Sequence, residues 1–317
     1  MLTSFFGKSN PVNYLILGAF IVLGYLLGTF KGTTVTITAY GILLHISYSI
    51  LSVLMLLLLD FIIRKNHLTK SNTFAIFFFT CFILMLPIIF LERDILLANA
   101  FLILALRRIM SLRSDRNSSK KILDASVWIT IASLFYFWSL LFLAPLWLAI
   151  IQKPNSSYKQ MLIPFTGVFA ILLINTAFQL LLTDSFAWFF QWKQSVNFDF
   201  SKYNVTSVLI PTTVILGFYV WTAAYRTLRL SSVSLKEKSN YLLMLYVSLT
   251  SLFVALLGPE KTGAEILFVL APISIIAANY IEGFETEGLS ETDASEFWFK
   301  EIMLWLVLAL PFVFLFL

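Results

Sequence analysis

Six arginines and lysines fall between Arg107 and Lys121, and a long apolar run lies on either side of them. This loop, RRIMSLRSDRNSSKK, constrains the chain more than any other stretch. Positive charge is retained on the cytoplasmic side of a bilayer, so the flanking runs are membrane spans and the loop sets their orientation.

Composition agrees. The 317 residues are 59% hydrophobic and only 12% charged, whereas soluble domains carry roughly twice that charge. The expected fold class is all-α: a polytopic transmembrane helical bundle forming a single integral membrane domain over 1–317. The net charge of +5 and the pI near 9.2 arise mostly from three basic loops, so topology explains them and nucleic acid is not an expected partner. The lone cysteine, Cys81, excludes an intramolecular disulfide and a cysteine metal cluster. Two histidines, His45 and His67, exclude the histidine-rich sites of membrane di-iron oxygenases. The N-terminus carries one early lysine, Lys8, and the apolar run near Tyr14 resembles a first span rather than a cleaved signal.

A span needs about 20 apolar residues, fewer where a helix is broken. Eleven segments qualify, near 13–29, 41–63, 73–91, 95–111, 126–138, 140–152, 160–182, 205–225, 240–258, 264–282 and 301–317. With a cytoplasmic N-terminus, every basic loop falls on one side and the C-terminus lies outside. That arrangement suits the inner membrane of a bacterium. The stretch 126–152 is short for two crossings, although both its flanks are basic. It is read as a hairpin of two short helices, with Pro145 breaking or kinking the second limb; the alternative is one long crossing.

Two segments differ from the spans. Residues 183–204 (TDSFAWFFQWKQSVNFDFSKYN) mix aromatics with charges, as segments in the headgroup layer do, and are expected to lie outside on the membrane surface. Trp188 and Trp192 are the expected membrane- or partner-interface residues there. Residues 283–300 are acidic and expected on the cytoplasmic side, ending in an interfacial helix capped near Ser290 or Asp293.

An ionisable group at membrane depth is costly and therefore a candidate site. Asp60 precedes Arg64 by four residues and reads as a helix-end ion pair, and His45 as a polar contact between helices. Two external turns concentrate charge. Glu92-Arg93-Asp94 sits where a lipid headgroup would lie. Its carboxylates could hold a divalent cation and its arginine a phosphate. In Gly258–Glu265 (GPEKTGAE), Lys261 could hold a phosphate, and Glu260 or Glu265 act as acid or base. The alternative for each is a hydrated charged turn, with Asp94 capping the next helix. No phosphate-binding glycine loop, serine elbow or zinc-helix motif appears.

The stretch LERDILLANAFLILALRRIMSLRSDRNSSKKILDASVWITIASLFYFWSLLFLAPLWLAI resembles an uncharacterised multi-pass inner-membrane family of Bacteroidota. More distantly, it is similar to polyprenol-dependent GT-C glycosyltransferases. Those have 8–13 spans, short broken helices after a basic cytoplasmic loop, and a late external loop leading into an apolar helix. The matching pieces here are 107–121, 126–152 and 258–281. Such enzymes place a catalytic acid in the first external loop. That loop here, GTFKGTTVTITAY, has Lys31 and no acid, so the resemblance leaves the base to Glu92 or Asp94.

Three functions follow as expectations. The first is transfer of a sugar or related group from a polyprenyl-phosphate-linked donor at the outer face. Glu92 or Asp94 would be the base, Arg93 and Lys261 the phosphate ligands, and Glu260 and Glu265 part of the same substrate site. The second is a non-catalytic component of an envelope assembly or secretion complex, with membrane lipids and an envelope protein as partners. The third is a lipid or solute transporter.

Overall fold

The computed structural model describes residues 1–32, 38–113, 116–153, 156–228, 230, 235–282 and 291–316. Among them there are helices and turns but no strand. The helices are α1 (Leu2–Phe6), α2 (Pro11–Gly32), α3 (Ala39–Asn66), α4 (Phe74–Leu84), α5 (Arg93–Ser111), α6 (Ser118–Phe135), α7 (Leu143–Ile151), α8 (Tyr158–Thr183), α9 (Ala187–Trp192), α10 (Thr206–Leu228), α11 (Leu235–Leu257), α12 (Leu267–Ile281) and α13 (Glu291–Phe316). Seven helices are long and apolar enough to cross a membrane: α2, α3, α8, α10, α11, α13 and the one containing α12. The chain is a multi-pass membrane protein.

Burial sorts these helices into two kinds. α4 and the helix of α12 are apolar all round and enclosed, the latter 94% buried within its span. They pack on each other and form the centre, with Phe77, Phe78, Phe82 and Phe268 shut away from the surface. α8 is equally apolar yet only 11% buried in its span, and it exposes Leu162, Phe165, Phe169 and Leu173. A helix apolar on every side needs apolar surroundings. For α12 these are other helices; for α8, lipid.

The chain runs back and forth between two ends. At the basic end, Asn13 donates to Thr73 Oγ1 (2.9 Å), Lys121 to the Ser111 carbonyl (2.7 Å) and Gln160 to Ser118 Oγ (3.1 Å). Glu301 joins the same end by accepting from Thr3 N (3.0 Å) and Thr3 Oγ1 (2.6 Å), which tethers α1 to α13. At the opposite end, Gly28 approaches Pro87 and Tyr136 donates to the Val254 carbonyl (3.4 Å).

The 118–153 stretch leaves the basic end and returns to it. α6 starts beside Ser111, reaches the opposite end at Tyr136, and Gln152 and Lys153 again share a cleft with Arg113 and Asn240. The break falls at Tyr136, whose backbone is extended (φ −141°, ψ 102°) before a 3-10 turn over Phe137–Phe142. Pro145, expected to break or kink the second limb, lies just past the point where that limb changes from the 3-10 turn to α7. The first limb also begins earlier than its apolar residues imply. α6 takes in Lys120, Lys121 and Asp124, because Asp124 pairs with Arg108 of α5 at 2.8 Å.

Residues 183–204 contain the short helix α9 and a 3-10 turn at Ser201–Tyr203. Residues 283–290, including the expected Ser290 cap, lie outside the described residues, as do 33–37 of the loop after α2 and the side chains of Lys31 and Asp293. From Glu291 onward the acidic segment is no separate interfacial helix: it is the first part of α13, continuous to Phe316.

Candidate functional site

The two charged turns meet at the end opposite the basic loops. Leu86 precedes Pro87 and is held out of the helical region (φ −126°, ψ 73°), which separates α4 from the 3-10 turn Pro87–Phe90. A second 3-10 turn, Ala264–Ile266, follows Gly263, whose positive φ of 95° suits only glycine readily. The two 3-10 turns pack together, so residues 92 and 260 become neighbours.

Glu92 is the N-terminal flanking residue of α5 and its side chain caps nothing. It is half-buried, and burial raises its carboxyl above the usual range. The charges of Glu260 and Asp94 push the same way, and Lys202 opposes them. A carboxyl in that state can take up a proton closer to neutral pH than a free glutamate can. Lys202 also pairs with Glu260 at 3.5 Å, an exposed contact that adds little stability. Asp94 lies in the first turn of α5, where its charge complements the helix dipole.

Arg93 points elsewhere. It is exposed, and its guanidinium stands 5.7 Å from the Tyr48 ring on α3. Lys261 is 2% exposed; its ammonium donates to the carbonyls of Ala255 (2.9 Å) and Leu256 (2.6 Å) and faces the Phe200 ring at 5.5 Å. It closes the C-terminal end of α11, and burial lowers its pKa. A phosphate clamped between Arg93 and Lys261 is therefore not the arrangement found. Glu265 is fully buried and accepts from Gly263 N at 2.7 Å and Thr262 Oγ1 at 3.3 Å, which fixes the turn. Tyr136 and Tyr203 stand near enough to feel its charge.

The exposed acid–base group is thus Glu92, Asp94, Glu260 and Lys202, over a structural layer of Lys261 and Glu265. Sequence reasoning missed Lys202, which entered only as one charge in an aromatic segment. No local pattern marks it, because 58 residues separate it from its partner Glu260. Among the described residues, no three His, Cys, Asp or Glu side chains lie close enough together to hold a metal ion.

The aromatic segment is anchored by Trp192. Trp192 donates to the Ser133 carbonyl (2.7 Å) and packs edge-on against Phe137, with centroids 5.0 Å apart. Gln194 accepts from Phe137 N at 3.2 Å. Trp188 is partly buried beside Trp192, whereas Phe186, Phe189 and Phe190 face outward. Phenylalanines thus face outward from α9, and Trp192 and Gln194 hold the segment onto the α6–α7 hairpin.

No curated protein and no solved structure matches this chain. A family model described as "Family of unknown function (DUF6427)" matches residues 7–317, nearly all of the chain, and the protein belongs to that family.

Proposed function

We propose that this protein transfers a sugar, or a related group, from a polyprenyl-phosphate-linked donor at the outer face of a bacterial inner membrane. The reading takes eleven crossings, with the N-terminus and the basic end cytoplasmic. Glu92 is the general base. The observation that carries it is the meeting of Glu92 with Glu260 and Lys202: a half-buried carboxyl, raised in pKa, at the end where a lipid-linked donor would present its phosphate. Asp94 and Glu260 keep its proton affinity high. Lys202 supplies positive charge at the cluster, and the acceptor approaches over 183–204.

The test is complementation of a deletion strain with abundance monitored alongside. Glu92→Gln should abolish function while leaving protein level unchanged. Full complementation by Glu92→Gln would retire the transferase reading in favour of a non-catalytic envelope component.

A further inference from the structure

A wide, basic cleft lies at the other end. It has a volume of about 820 Å³ and lies between the C-terminal end of α3, the C-terminal end of α5 and the start of α6. Lys65, Arg108, Arg113, Arg116, Lys120 and Lys121 line it. Among the described residues, Asp124 is the only acid on the lining, and Arg108 already pairs with it; Asp115 lies outside the described residues.

Orientation in a membrane requires a count of positive charges, not their convergence. Here six converge on one cleft: Lys65 from α3, Arg108 from α5, Arg113 and Arg116 from the loop after it, and Lys120 and Lys121 from α6. The cleft is net positive, with six cations facing one acid among the described residues, and such a cleft concentrates anions. The volume lies within the range of small-molecule sites. The polar lining includes Asn66, Asn117 and Asn240, which offer amide donors to an oxyanion. The framework is held independently of any ligand: Asn240 donates to the Asn66 carbonyl (3.3 Å), Arg113 donates to the Asn240 side-chain Oδ1, and Lys121 caps the Ser111 carbonyl.

We infer that this cleft binds a phosphate-bearing polyanion, with Arg116 and Lys120 as exposed ligands and Arg113 as the ligand held in place by Asn240. This is separate from the transferase reading and does not depend on it. Phosphate chemistry fits because multiply charged tetrahedral groups accept from several forked donors at once. That chemistry is shared by an anionic lipid headgroup and a soluble diphosphate.

The experiment uses the full chain in two arms. In the first, inorganic pyrophosphate is titrated calorimetrically into protein in phosphatidylcholine nanodiscs. In the second, native mass spectrometry counts phosphatidylglycerol retained from a mixed phosphatidylcholine–phosphatidylglycerol micelle. The double variant Arg116→Gln/Lys120→Gln removes two exposed charges, and Lys159→Gln removes one at the same end but off the lining. Binding should weaken at least about tenfold in the double variant and hold in Lys159→Gln, since each basic residue near an anionic surface is worth about 1 kcal/mol. Loss in the first arm identifies a soluble ligand; loss in the second alone identifies a lipid headgroup. No binding in either arm, or an equal fall in both variants, would overturn the inference. Unchanged melting of the double variant separates loss of a ligand contact from misfolding.

Discussion

Lys261 shows how one residue type supports opposite expectations. In sequence it is a cation in an exposed turn, suited to a phosphate. In the fold its ammonium closes α11 by donating to two carbonyls, so its charge is spent on backbone. Lys261→Ala should therefore destabilise the protein by about 1–3 kcal/mol, the scale for leaving buried acceptors unmet. Thermal unfolding in detergent would record a lower midpoint, and Lys261→Met, which keeps the stem but not the donors, should lose most of it too. An unchanged midpoint with lost complementation would return Lys261 to the role of ligand. Glu92 behaves in the opposite sense. Its side chain caps nothing and stabilises little, so its raised pKa is available to chemistry.

Helix α8 is the most lipid-exposed of the long helices, and its attachment depends on a close approach to α6. A β-carbon built on Gly167 would sit 2.0 Å from Ser126 Oγ, and the Leu123 carbonyl is 3.4 Å away. No side chain fits there without moving the helices apart. In a Cys81→Ser background, cysteines placed at Ser118 and Gln160, whose side chains now meet at 3.1 Å, should be bridged by a short bifunctional thiol reagent that spans the length of the lost glutamine side chain. Adding Gly167→Val should reduce that cross-link severalfold. Equal cross-linking would show that α8 is held by its ends rather than by its close contact with α6. The same helix shows why composition cannot assign burial. α8 and α12 are both apolar and span-length, yet one lines the outside and the other fills the centre.

Across the whole molecule, the alternation between two ends predicts sidedness. Ser119 and Ser195 are exposed at opposite ends, whereas Ser118 is 7% exposed and a poor labelling site. Single cysteines at Ser119 and Ser195, without Cys81, should react with an impermeant maleimide from opposite faces of sealed vesicles. Labelling from one face would undo the eleven-crossing arrangement and the outward placement of Glu92. The membrane class, the helical fold and the basic end were legible in the sequence, because a bilayer constrains length, hydropathy and positive charge locally, residue by residue. The two charged turns were legible as candidates for the same reason: isolated charge between apolar runs stands out. Tertiary structure alone decided that the turns meet, that Lys202 joins them, that Lys261 faces inward and that six cations share one cleft. Those facts depend on which helices pack side by side. In an apolar chain many pairings are similar in hydropathy, and they are separated by shape at places such as Gly167, Pro87 and Gly263.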